Sequence, residues 1–182
     1  MQVTFNGTGI LRTIHPNGRL DESLAQMFHI TGSGITSGYL SVQTLMNTAG
    51  VNGFVEIAGS DGRVLTTAPI SGEGQIQMVF SHVAQGSGYF TGLALFNPGP
   101  GDATATIEVD SADGSVVVSK AVTFAAGQRL IGLLSELFPG MQNQLGGSVR
   151  VVATQPIYGL QIFGTAGPGG GNFLANIPPG TY

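Results

Sequence analysis

"NGRLDESLAQMF", residues 17–28, set above "GQRLIGLLSELF", residues 127–138, matches Arg19 with Arg129, Leu20 with Leu130, Leu24 with Leu134, Met27 with Leu137 and Phe28 with Phe138, all at an offset of 110. In both stretches the apolar residues recur at i, i+4, i+7 and i+8, the spacing of one face of a short α-helix, and Pro139-Gly140 stops the second. Each is expected to cover one open end of a β-sandwich. As a helix "RLIGLLSELF" would reach only about 15 Å against a hydrocarbon core of roughly 30 Å, so no membrane span is expected.

The match continues beyond the helices. "GYLSVQT" (38–44) resembles "GSVRVVAT" (147–154), "GFVEIAGS" (53–60) resembles "YGLQIFGT" (158–165), and "LTTAP" (65–69) resembles "LANIP" (174–178), at offsets between 105 and 110. A repeat of that length is too long for a solenoid and implies tandem domains, here residues 1–73 and 74–182. "GYFTGLALFNPGPG" (88–101), the first strand of the second unit, has no counterpart before Met1. The first unit is therefore expected to lack a strand and to present an open edge, filled by residues 74–87 or by a neighbouring molecule. The candidate strand-exchange residues are Val3, Thr4 and Phe5 with Leu93, Leu95 and Phe96.

The rest of the chain supports an all-β class. Short β-branched and aromatic runs recur between turn signals, among them "QVTF", "GQIQMVFSHV", "GLALFNP" and "SVRVVATQ". In "TATIEVD", Ala105, Ile107 and Val109 alternate with Thr106 and Glu108, as a strand with one buried face requires. "SDGR" (60–63) and "ADGS" (112–115) place Asp-Gly where tight hairpins close. "DSADG" (110–114) lacks the alternating ligands and closing glutamate of a calcium loop. The fold expected is two related immunoglobulin-like β-sandwich units, each with one short α-helix.

Composition narrows the partners. Charged residues make up 9% of the chain, with a net charge of −4, and the one lysine and five arginines are scattered singly. No basic stripe exists to neutralise a phosphate backbone, so nucleic acid is not an expected partner. Weak repulsion between copies permits close self-association. The chain has no cysteine, so it has neither disulfide nor thiolate metal site.

"MVFSHVAQGSGYFTGLALFNPGPGDATATIEVDSADGSVVVSKAVTFAAGQRLIGLLSELFPG" (78–140) resembles a repeated module of large secreted bacterial surface proteins, with its Asn-Pro-Gly opening, Asp-Gly hairpin and short "LF.G" helix. The resemblance implies an extracellular or cell-surface, immunoglobulin-like structural or adhesive protein, and carries over no catalytic residue.

Chemistry-bearing motifs are absent from the sequence. His15, His29 and His82 lie in different elements without a carboxylate pattern or metal-ligand spacing, no G-x-S-x-G occurs, and the glycine clusters form no phosphate-binding loop. Glu56, Glu108 and Glu136 read as solvent-facing positions, and "NGT" (6–8) is a glycosylation sequon only in a host that modifies such sites. No enzyme and no cofactor are expected. The expected function is a structural protein that self-associates through strand edges into a fibre, layer or larger surface assembly, a homo-oligomer or polymer. The alternative is a glycan-binding or adhesion module using exposed aromatics, with Tyr89 and Tyr158 as the stacking candidates.

Overall fold

The computed structural model describes residues 1–31, 36–45, 50–58, 65–165 and 173–181. The "SDGR" hairpin and most of the glycine-rich 165–172 stretch lie outside the described residues. The chain forms two compact units, Met1–Asn52 and Gly53–Tyr182, and it is an all-β protein.

The smaller unit contains β1 (Gln2–Phe5), β2 (Thr8–Leu11), α1 (Leu24–Phe28) and β3 (Leu40–Gln43), in the antiparallel order β2-β1-β3. Asn6 (φ 48°) and Gly7 (φ 86°) close the first hairpin as a two-residue turn, which needs positive φ at both positions. The Asn6 side chain accepts from the Tyr39 N–H at 3.2 Å and donates to the Ser37 carbonyl at 3.1 Å, so the residue of the sequon is tied into the fold.

α1 begins later than the apolar spacing predicts. Ser23 Oγ accepts from the Gln26 N–H at 3.2 Å while Gln26 Oε1 accepts from the Ser23 N–H at 3.3 Å, a capping box that sets the start at Leu24. Its face carries Met27 inward and brings the Phe28 ring to 5.6 Å from Phe5. Val3 and Met27 are this unit's buried apolar residues among those described.

The larger unit contains β4 (Phe54–Ala58), β5 (Leu65–Pro69), β6 (Gln75–Phe80), β7 (Ala84–Gln85), β8 (Tyr89–Phe96), β9 (Ala103–Asp110), β10 (Val116–Phe124), β11 (Arg129–Leu133), α2 (Leu134–Leu137), β12 (Gln144–Leu145), β13 (Ser148–Thr165) and β14 (Leu174–Ile177). The organising element is β13. Its first half pairs with β9 and β6, its second half with β8 and β14, while β10 lies outside β9 and β11 outside β8. One long strand thus serves two groups of strands and curls the sheet around a common core of Met78, Phe80, Leu93, Leu95, Ile107 and Val149, each at most 1% exposed.

The apolar run 129–138 is corrected by this structure. Arg129–Leu133 is a strand, registered along β8 from Arg129 opposite Phe96 to Leu133 opposite Gly92; only Leu134–Leu137 is helical. The i, i+4, i+7 spacing served two elements, because a strand and a single helical turn in succession bury Leu134, Leu137 and Phe138 as well as one longer helix does. The Glu136 carboxylate accepts from the Leu133 N–H at 2.8 Å and starts the turn.

One three-strand part of the larger sheet, β10-β9-β13, has the order of the smaller sheet, β2-β1-β3. In the smaller, β3 returns beside β1, with Leu40 opposite Phe5 and Val42 opposite Val3. In the larger, β13 returns beside β9, with Val149 opposite Val109 and Val151 opposite Ile107, and β10 flanks β9 as β2 flanks β1. The β4–β5 and β13–β14 pairs differ in register: Glu56 faces Thr67, whereas the matching Gln161 faces Ile177 and not Asn176.

Two turns do more than connect strands. At 111–115 the Asp-Gly pair closes a wider loop than the tight hairpin expected, with Gly114 alone at positive φ (86°). The Asp113 carboxylate accepts from Ser111 Oγ, and from the Ser115 N–H at 3.0 Å and Ser115 Oγ at 2.8 Å, which pushes its pKa down to about 2.

In the Asn-Pro-Gly turn after β8, Asn97 is fully buried and fully satisfied. It donates to the carbonyls of Gly101 and Phe124 at 2.8 and 3.2 Å, and accepts from the Gly99 N–H and Gln155 Nε2 at 3.0 and 2.9 Å. Asn97→Ala strands those partners and is expected to cost about 2 kcal/mol, read as a lowered urea midpoint at unchanged m-value.

Candidate interaction surface

Strand alternation gives the β11-β8-β13-β14 group two unlike faces. Leu93, Leu95 and Gln161 point into the core. Register places Ile131, Ala94, Phe96, Tyr158, Leu160 and Ile162 together on the other face. Ile131 is 56% exposed and the others are half-buried, so a sheet expected to be apolar on one face is apolar on both. Phe96 and Tyr158 stack at 6.5 Å with an interplanar angle of 17°.

At one margin of this face the chain after β5, the middle of β13 and the end of β14 form a groove of about 240 Å³. Tyr158, Ile70 and Pro178 give it apolar walls, and Gln75 and Asn176 line it as well. Gln75 Oε1 and Asn176 Oδ1 are buried atoms with no hydrogen-bond partner among the described residues. Two unanswered acceptors beside an aromatic ring suit a neutral ligand that carries hydroxyl or amide donors.

The sequence candidates fall in different places. Val3, Thr4 and Phe5 lie on β1, paired on both sides by β2 and β3, and Leu93, Leu95 and Phe96 lie on β8, paired on both sides by β13 and β11. Neither stretch is an open edge, because each strand's backbone groups are already used within the chain. Tyr89, 36% exposed, packs edge-on to Phe173 at 6.4 Å. Tyr89 and Tyr158 sit at opposite ends of the β8–β13 ladder, seven positions or roughly 23 Å apart, so they do not form one stacking platform.

The edges that are open lie elsewhere. Among the described residues β10 pairs with β9 alone, β11 with β8 alone, and β2 and β3 each with β1 alone. β10 is nine residues long, with Val116 and Val117 exposed at 52% and 43%, and Lys120 as its one charge. Lys120 is exposed and its Nζ donates to the Leu137 carbonyl at 3.4 Å, and a bulge at Val117 separates Val116, opposite Asp110, from Val118, opposite Val109.

The strongest ionic group is on the outer side of β9 and β13. Arg150 donates to Asp110 through Nε at 2.6 Å and Nη2 at 3.0 Å, and lies 3.0 Å from Glu108. Asp110 is 4% exposed; hydrogen bonding to Arg150 holds its pKa below the usual carboxylate range, against the opposing effect of burial. These groups form a structural network. Among the described residues no three His, Asp or Glu side chains gather as metal ligands, and no helix is long and apolar enough to cross a membrane.

No protein-family model and no curated protein matches the chain. Among solved structures it is similar to the crystal structure of Thermotoga maritima 1070, with a TM-score of 0.53 and 16% identity, over 60% of this chain and 96% of that one. At that identity the likeness is one of fold.

Proposed function

We propose that the chain is a non-enzymatic structural module of an extracellular or cell-surface assembly, built from two related immunoglobulin-like β-sandwich units and joined to further copies through strand edges. The observation that carries this reading is the outer edge of β10, nine residues long and paired on one side alone among the described residues, with Val116 and Val117 exposed; against pairing it sets only Lys120 and the bulge at Val117. Support for the repeated-unit part comes from the shared order of β2-β1-β3 and β10-β9-β13, and support for a sandwich from the passage of β13 between two strand groups.

Sedimentation across a concentration series tests the association. The wild-type chain is expected to form larger species as concentration rises, and Val117→Lys, at an exposed position, is expected to abolish them while changing stability by less than about 0.5 kcal/mol. A wild-type chain that stays monomeric throughout removes the reading.

A glycan-binding reading has one observation in its favour, the groove with its two unanswered amide oxygens. It assigns the contact to Tyr158 and not to Tyr89. Saturable binding on a glycan array, lost in Tyr158→Ala and kept in Tyr89→Ala, is the result it requires.

A further inference from the structure

The smaller unit holds the same three-strand pattern as the larger but not what covers it. In the larger unit the free side of the returning strand is occupied: β6 pairs along β13, with Phe80 opposite Val149 and Met78 opposite Val151. The matching side of β3 has no strand among the described residues, and Leu40 and Val42, which stand where Val149 and Val151 stand, are only half-buried. The effect on packing is plain. Met78 and Phe80 are 1% and 0% exposed, whereas the smaller unit buries only Val3 and Met27 among its described apolar residues and leaves Leu11 and Leu45 at 66% and 58%. A unit of that size with so small a core is marginal without an added element.

We infer that the free edge of β3 is an acceptor for one antiparallel β-strand of the β6 type, supplied by another polypeptide. The inference rests on reading the two units as related. Its register follows from the larger unit: apolar residues at alternate positions, a large one opposite Leu40 and a second opposite Val42, polar residues between. The folded chain's own β6 does not serve. Its inner edge is paired with β13, its outer edge is closed by mutual backbone hydrogen bonds between Val79 and Gly180 at 2.8 and 2.9 Å, and releasing it would expose the core's largest buried residues. The occupant is therefore an unengaged extended segment and not a second folded copy.

Hydrogen exchange on the full chain, with a synthetic peptide of residues 74–83 (GQIQMVFSHV) added at about 1 mM, tests this directly. Amides within Leu40–Gln43 that face the free edge are expected to exchange at least about tenfold more slowly with peptide, and those of β10 to be unchanged. Peptides carrying Val79→Pro, or Met78→Glu with Phe80→Glu, are expected to give no slowing. Since these changes are in the peptide, no outcome depends on a variant chain folding. Equal slowing by the altered peptides, no slowing by any, or slowing confined to β10 overturns the inference. So does protection of β3 that rises with chain concentration and is not displaced by peptide, which makes a second copy the occupant. A chain that self-associates through β10 but ignores the peptide ends this inference and leaves the association reading standing; a strictly monomeric chain that binds the peptide does the reverse.

Discussion

Phe80→Ala is expected to lower the stability of the larger unit by about 4 kcal/mol, enough to remove a large part of a typical domain's margin. Phe80 is fully buried, registered against Val149 on β13, and belongs to the cluster that both halves of the curled sheet share. The surroundings have little room to collapse into the space. Gly159 shows how tight the packing is, since a Cβ there would stand 2.9 Å from the Phe80 ring and 2.7 Å from the Met78 sulfur. The measurement is urea denaturation followed by far-ultraviolet circular dichroism, with the midpoint falling at unchanged slope. A loss under about 1 kcal/mol would mean that β6 is not part of the core.

Arg150→Ala is expected to cost about 3 kcal/mol, because it leaves the buried Asp110 carboxylate without its bidentate partner and beside Glu108. Adding Asp110→Ala in the same chain is expected to restore part of the loss, since the cost lies mostly in the orphaned charge. The pH dependence carries a sign that a packing defect does not reproduce. In the wild type the folded carboxylate binds its proton more weakly than the unfolded one, so the pair's contribution is full above the unfolded value near about 4 and is lost as pH falls below it. In Arg150→Ala the main cause of that depression is gone and burial, which raises the pKa, is opposed only by the hydrogen bond from Ser148, so over the same range the loss of stability in acid is expected to be much smaller than in the wild type. Parallel pH profiles for wild type and variant would remove the ion pair from the account.

Much of the architecture was legible in one dimension. The runs "TATIEVD" and "SVRVVATQ" became β9 and the first half of β13 because period-two apolar residues have only one way to reach a common core. The match between 17–28 and 127–138 located both short helices, since residues after a cap that alternate on a helical face bury that face wherever they occur. The boundaries did not follow, because a capping box at Ser23 and a sheet partner for Arg129–Leu133 decide them, and hydropathy spacing registers neither. Asn97 read as turn chemistry, yet it is a buried hub whose partners Phe124 and Gln155 lie 27 and 58 residues away.

The candidate surface was less accessible than the fold. Sequence pattern chose strands with a missing neighbour but placed the gap at Val3–Phe5 and Leu93–Phe96, which turn out to be central, while among the described residues β2, β3, β10 and β11 are strands that end their sheets. Likewise it supplied Tyr89 and Tyr158 as exposed aromatics but not their separation, nor the orphaned oxygens of Gln75 and Asn176 beside one of them. Strand content, low charge and turn chemistry are properties of neighbouring residues, and neighbours in sequence were enough to establish them. Which strand lies beside which, and therefore which backbone edge is left unpaired, depends on partners many tens of residues apart meeting in space. That pairing was settled only when the shared core around Phe80 and Val149 closed.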